Sequence, residues 1–566
     1  MVFISILYIL SLVAPLAYGV LVAGLNFPAE EFPIYLGLAL QFAVGVVIYF
    51  YVNAYEHDQK KRAWTLFGYT LFLLGLSVSY LAGKSNLLWI SWECSTFGAF
   101  LLYSGTKFDE KSIRSIVALI LASGVSCIAV AAWVFLPPGI PGIYFLVFGL
   151  LLKSAILGFH FWLPEAHGGG PAHSSATYSG LMVNLPLILF YLYVPPYWKQ
   201  INLGYILIPL CGLGVFYGGV TSFIHKDVKK SLAYSTIENL NFLWLCLFLF
   251  LEWENSELPN LQLLSVGFKI LFFLGIVHHS FSKSFQFLSF GLITKQSGST
   301  NLDASKGVGR ELGIPGVLLG LGTFSFALLP GGLGFTLEAT LLHFLRVILD
   351  LPNQYSIFVI PSLVLIIIGL ALGGFSHLRI YYTLVFSVPA KPQQNRLEES
   401  DRVQYSIAFV VLGFFLMLSP IFVTFLLFFF NIVVLEHLKD WFFFLFVLNV
   451  FFLGSYAVIF ALNKRKITSR NLWDCGSTYR GSELSIPGSV ISEPLHETFG
   501  NLIVNSEQES TIDSKIKVGV HRLFQFGNLI RGWVHEQEMS AYLAFSSIML
   551  IITFTLVIFE SIGKFQ

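Results

Sequence analysis

Apolar runs of roughly 20 residues recur along this chain from one end to the other, each long enough to cross the about 30 Å of hydrocarbon in a bilayer. They lie near 4–25, 32–54, 65–83, 87–104, 115–137, 142–163, 174–196, 204–224, 231–251, 264–293, 312–331, 333–351, 357–386, 404–431, 441–462 and 540–560. Backbone groups in lipid must pair internally, and the alternation of a closed barrel is missing, so these runs predict helices. The expected fold is an all-α polytopic membrane protein of about 14–16 transmembrane helices. Composition agrees: 55% of the 566 residues are hydrophobic and only 11% are charged, far from a soluble domain. The N-terminal run has no basic segment before it and is long for a signal peptide, so it reads as a retained first span.

Charge is nearly balanced, 33 basic against 32 acidic residues, which argues against a nucleic-acid face and makes any electrostatic logic local. Lys60-Lys61-Arg62, Lys107/Lys111/Arg114, Lys226/Lys229/Lys230 and Lys295/Lys306/Arg310 fall on one side if the spans alternate. That side is expected to be cytoplasmic. Cys94, Cys127, Cys211, Cys246 and Cys475 are scattered, with no CxxC pair, and read as small core residues. No HExxH, haem or nucleotide-binding pattern occurs, so no metal, cofactor or catalytic residues are assigned to this chain.

Two spans carry interruptions, at Leu163-Pro164 followed by Gly168-Gly169-Gly170-Pro171, and at Leu329-Pro330-Gly331-Gly332. Paired Gly/Pro interruptions point to broken helices in inverted repeats with ion sites near the midplane; plain connecting loops fit the spacing equally well. A polar stretch, 464–538, is too short for a catalytic domain with its own core. Within it, Lys515–Trp533 fits an interfacial amphipathic helix or a solvated linker helix. The expected organisation is N-terminal helices over 1–84, a core over 85–390, C-terminal helices over 391–463, the polar loop, and a last span in 539–566.

An ionisable residue inside a span costs roughly 2.5–3.5 kcal/mol, so each needs a partner, a cavity or a function. Glu93 stands beside two tryptophans, Trp89 and Trp92, in LLWISWECSTFGAFLLY, and Lys153 stands in an apolar run with His160 seven residues on, a spacing that shares a helical face. His279 and Lys283 share a face at i, i+4, with His278 alongside. Glu238, Glu338, His377 and Arg379 extend the series. A buried lysine gives up its proton easily, and a carboxylate moving towards or away from it loads or releases that proton. For His160 and His278 a satisfied core histidine is the competing reading; for Arg379 it is snorkelling to an interface.

At these residues the chain resembles the antiporter-like membrane subunits of respiratory complex I, membrane-bound group 4 hydrogenases, formate hydrogenlyase and Mrp cation/proton antiporters. The likeness covers about residues 85–390. KSAILGFHFWLPEAHGGGPAHSSATYSGLMVN, starting at Lys153, resembles the family's broken-helix signature, and HKDVKKSLAYSTIENLNF resembles its Leu-Ala-Tyr-Ser segment. The Glu238-Asn239 form, Pro171-Ala172-His173-Ser174-Ser175 and LWDCGSTYRG are similar to the hydrogenase-type branch. His279-SFSK-SGSTNLD elements and LLPGGLGFTLE, ending in Glu338, match further family segments. The resemblance implies two inverted five-helix repeats, Glu93 and Lys153 as the first half's charge pair, and His279, Lys283 and Glu338 along a central hydrophilic axis. Two positions depart from the family. Asn184 stands where many relatives carry a lysine, and His377 or Arg379 stands where a second lysine is usual; of these only His377 titrates readily.

The expectation is therefore a subunit of the prokaryotic inner membrane that moves protons or Na⁺ when redox chemistry occurs in partners. Fe–S, nickel or flavin centres would belong to peripheral redox subunits, not to this chain. An Mrp-type antiporter subunit and a non-pumping membrane scaffold are the rival readings.

Overall fold

The computed structural model describes residues 2–23, 31–105, 109–312, 314–326, 329–349, 359–387, 398–429 and 436–462. The polar stretch, the expected amphipathic helix, Cys475 and the last span lie outside them. The described residues form helices: α1 (Val2–Ala23), α2 (Phe32–Tyr55), α3 (Gln59–Leu81), α4 (Asn86–Leu101), α5 (Glu110–Phe135), α6 (Ile140–Lys153), α7 (Trp162–Gly169), α8 (Ala172–Thr177), α9 (Leu185–Tyr193), α10 (Trp198–Ile201), α11 (Gly204–Ile224), α12 (Val228–Trp253), α13 (Pro259–Ser297), α14 (Val308–Glu311), α15 (Ile314–Phe326), α16 (Leu333–Leu349), α17 (Val359–Tyr381), α18 (Glu399–Phe429) and α19 (Glu436–Leu462). A π turn, Tyr178–Met182, follows α8 directly, and another, Tyr382–Phe386, extends α17.

Among the described residues, ten helices are long and apolar enough to cross a membrane. The chain is an integral membrane protein, and α1, α4 and the interrupted pairs α6–α7 and α15–α16 supply its other traverses. Aspartates start three of the helices at one end: Asp58 accepts from the Lys60 and Lys61 N–H groups, Asp109 from Ser112 and Asp227 from Lys230, each satisfying amides that the first turn leaves open.

The basic loops do converge. Lys111 lies 3.6 Å from Asp227, the Val228 N–H donates to the Thr300 carbonyl, the Leu302 N–H donates to the Lys226 carbonyl, and Lys295 donates to the Tyr55 carbonyl. At the opposite end Lys84 reaches the Leu136 carbonyl, Tyr144 the Ile201 carbonyl and Lys199 the Glu252 carboxylate. From the basic end, α3, α4, α5, α6–α7 and α8–α9 make five traverses; from the other end, α11, α12, α13, α15–α16 and α17 make five more. An odd number of crossings inverts the second set relative to the first. In each set the fourth traverse is the broken one.

The first break differs from the sequence expectation. Helix α6 stops at Lys153 itself, because Ala155 and Gly158 take positive φ angles of 52° and 93°, so Lys153 and His160 do not share one helical face. Pro164 sits in the first turn of α7, where a missing N–H costs nothing, and Pro171 precedes α8. The second break is where expected, with Pro330 and Gly331 (φ 95°) between α15 and α16.

Close seams fix the frame. On α11 and α17, Gly212 meets Ser362 and Gly219 meets Gly369 backbone to backbone, a seven-residue spacing of small residues that lets two helices touch. Gly75 and Gly98 make the corresponding seam between α3 and α4.

Candidate functional site

Two buried lysines organise the interior. Lys153, at the last residue of α6, donates to the Ser123 hydroxyl of α5 at 2.5 Å and to the Thr96 hydroxyl of α4 at 3.4 Å, with the Trp92 ring 5.8 Å from its ammonium. Lys283, in the middle of α13, donates to the Ser235 hydroxyl of α12 and lies 4.4 Å over the Phe326 ring. Both are 1% exposed or less, so each charge is held only by hydroxyls, a ring face and a carboxylate's field.

Those carboxylates differ in position. Glu93 acts electrostatically on Lys153 and Cys127, yet it is exposed on the outer face of α4, between Ile90 and Phe97, which are 47% and 52% exposed. Its sequence surroundings suggested burial; the structure puts it on the outside of the bundle. Glu238 is buried on α12 within electrostatic reach of Lys283 and Glu338. Its backbone packs on Gly218, its carboxylate lies against Gly373, and its Oε2 has no hydrogen-bond partner.

Glu238, Glu338, His278 and His377 line one cavity of about 20 Å³, room for roughly a single water. His278 donates through Nε2 to the Ser325 carbonyl at 3.2 Å, and Gln286 Nε2 lies 3.0 Å from His377 Nδ1. Glu338 itself is half-buried, on α16.

Separate polar contacts lie along the helices between the two lysines. His160, buried against Tyr217 with ring centroids 5.1 Å apart, lies in the first break. There the Leu157 N–H donates to Asn241 Oδ1, and Trp244 Nε1 donates to the Ser154 hydroxyl, so α12 supplies caps for the opened helix. Asn184 donates to the Gly180 carbonyl and the Ser280 hydroxyl, at 2.9 and 2.7 Å. His279 Nε2 donates to the Ser179 carbonyl at 3.0 Å, and Ser179 meets Thr236 at 2.7 Å. Arg379 is 2% exposed and donates to the His225 carbonyl at 2.6 Å, so it ties α17 to the end of α11 instead of reaching a membrane interface. The sequence reading missed Ser123, Ser235, Asn241 and Gln286; their one signal is a polar side chain inside an apolar run.

At the basic end, burial alone would raise the Asp227 carboxyl, but Lys111, the Thr300 hydroxyl at 2.5 Å and the Lys230 N–H hold it below its ordinary value. This latch joins α5, α12 and the loop after α13.

Residues 137–364 match the family described as "NADH:quinone oxidoreductase/Mrp antiporter, TM". Relatives include a protein of Staphylococcus haemolyticus named as antiporter subunit mnhA2, 23% identical over 339 residues, which are 54% of this chain and 41% of the relative. The protein of the same name from Staphylococcus aureus is 23% identical over 309 residues, 49% and 38% of the two chains. The chain thus spans about two fifths of the length of these curated relatives. A chain of the Mrp complex from a Dietzia species shares the fold with a TM-score of 0.58 at 15% identity, over 73% of this chain and 89% of that one. A chain of an archaeal membrane-bound sulfane sulfur reductase does so with a TM-score of 0.50 at 17% identity, over 68% and 79%. Over its central region, residues 137–364, the chain thus carries a segment similar to the antiporter-like transmembrane domain of the NADH:quinone oxidoreductase and Mrp type.

Proposed function

We propose that this chain is a proton-translocating subunit of a multisubunit membrane complex of the prokaryotic inner membrane, driven by redox chemistry in partner subunits. The observation that carries it is the repeated arrangement of a buried lysine, a serine hydroxyl, a ring face and one carboxylate at each broken half. A lysine so placed releases its proton when the carboxylate's field weakens and takes one up when it strengthens. Glu93 is the input: its open face on α4 would meet a charged group of a neighbouring membrane subunit, and its field reaches Lys153. Protons would pass from Lys153 by way of His160 and a hydrated Asn184 to His279, Lys283 and the cavity of Glu238, Glu338, His278 and His377. Arg379 stays charged throughout. Two carboxylates and two imidazoles around space for about one water give the cavity four groups that can each hold a proton. Fe–S, nickel or flavin groups would reside in peripheral partners.

The named relatives favour a second reading, an Mrp-type cation/proton antiporter subunit using the same residues without an electron donor. Purification of the tagged protein from native membranes, with every co-purifying subunit identified by mass spectrometry, separates the two. Fe–S or quinone-reactive partners support the redox pump, and small hydrophobic antiporter subunits support exchange. Lys153→Ala should abolish coupled ion movement in reconstituted vesicles; intact movement would leave the chain as a scaffold.

A further inference from the structure

A second group of titratable side chains lies off the Lys153–Lys283 axis, where the end of α2, the end of α13 and the start of α18 meet. At its rim the exposed His57 stands 3.4 Å from the buried Asp401. Lys295 lies 3.7 Å over the Tyr55 ring and donates to the Tyr55 carbonyl at 2.6 Å. Burial raises the neighbouring Glu56 carboxyl above its ordinary value, against the opposing fields of Lys295 and Lys61.

Tyr55 meets His173 of α8 edge to face, with centroids 5.3 Å apart. His173 is wholly buried, its Nδ1 is 2.9 Å from the Tyr69 hydroxyl of α3, and its Nε2 has no hydrogen-bond partner. A buried ring nitrogen left open is costly as a static packing element; in a relay it is the atom that takes the proton. Further in, Lys229 donates to the Gly170 carbonyl at 2.7 Å, in the turn between the two histidines of this segment, and its field reaches both His173 and His167. His167 stacks on Phe287 at 4.6 Å, has both ring nitrogens unpartnered, and feels the charge of Lys283.

We propose that this junction is a proton-exchange port that connects the aqueous rim at His57, Asp401 and Lys295 with Lys283 by way of His173, Lys229 and His167. It rests on the reading that Lys283 moves protons. Only protons are transferred: a neutral His173 that gains one becomes a cation, the charge of Lys295 behind it keeps that state short-lived, and the proton moves on when Lys229 is in its neutral form. Tyr55 and Tyr69 orient the ring, Glu56 and Asp401 offset the lysines at the rim, and Tyr405 packs behind Tyr51 beside them.

The test uses the native complex containing this chain, reconstituted into phospholipid vesicles with an internal pH-sensitive dye. His173→Phe keeps an aromatic ring and removes both nitrogens; it should slow proton movement about a hundredfold, the lower end for loss of a proton-transfer group. Asp401→Asn should slow it about threefold at alkaline pH, where uptake limits the rate. Wild-type rates in both variants would overturn the port. If His173→Phe does not assemble, Asp401→Asn and Glu56→Gln at the rim decide, and unchanged rates at every pH count against it. Lys153→Ala run in parallel keeps the two readings apart. A wild-type complex that moves no protons defeats the proposed function, whereas a pumping wild type, an inactive Lys153→Ala and unimpaired port variants defeat the port alone.

Discussion

The surroundings of Lys153 and Lys283 are built from the same parts and differ in one. Each ammonium donates to a serine from the neighbouring helix and faces an aromatic ring, Trp92 or Phe326. The carboxylate of the first pair belongs to Glu93, which is exposed on the outer face of α4, while that of the second, Glu238, is sealed among glycines. A charge outside can be answered by another protein; a charge inside is answered only by protons arriving from within. The first half is thus suited to receiving a signal, and the second to storing and exchanging what the signal releases.

Replacement of Lys283 by arginine attacks the storing half most directly, since arginine keeps the charge and never gives up its proton. Coupled proton movement in vesicles should fall by about two orders of magnitude, and a normal rate would reduce Lys283 to a fixed charge. Gly373→Ala sharpens the point without touching a titratable group. Its new methyl would occupy the space of the Glu238 carboxylate, and a displaced charge should cost on the order of tenfold in rate with the complex still recovered intact. In the receiving half, Ser123→Ala removes the 2.5 Å acceptor from Lys153. A loss of about 1–3 kcal/mol in stability is expected, read as a lower melting temperature, with Thr96 as the remaining hydroxyl.

The smallest effect belongs to Asp227. A carboxyl held below its ordinary value stabilises the fold fully above about pH 4 and progressively less as pH falls through its depressed value. Asp227→Asn keeps a side-chain cap for the Lys230 N–H but removes the charge facing Lys111, so it should lower the melting temperature at pH 7 by an amount fitting about 0.2–1 kcal/mol. The difference between variant and wild type should vanish in acid.

The traverses are legible because length and hydropathy are physical requirements of lipid, and α11 runs over the expected residues 204–224. The first break is less so. Pro164 and the triple glycine draw attention, but the helix opens earlier, at Ala155 and Gly158, where Asn241 and the Trp244–Ser154 bond accommodate the opened backbone from another helix. No local pattern announces a cap that arrives from nearly 90 residues away. Glu93 fails for a different reason. Its helix is apolar all round, so periodicity cannot say which face looks outward. The port residues His167 and His173 lie in a motif read for its prolines and glycines, and their partners come from helices scattered along the chain.

Helix α13 runs unbroken for 39 residues, about 58 Å at 1.5 Å per residue. Even leaning by the roughly 40° that marks the extreme for such helices, it spans about 45 Å along the membrane normal, well beyond about 30 Å of hydrocarbon. The surplus stands in the headgroup layer and the water beyond. Because His278, His279, Lys283, Gln286 and Lys295 all ride on this one rod, acyl-chain length becomes a mechanical input: a thinner bilayer leans the rod and carries its titrating groups and its rim lysine together.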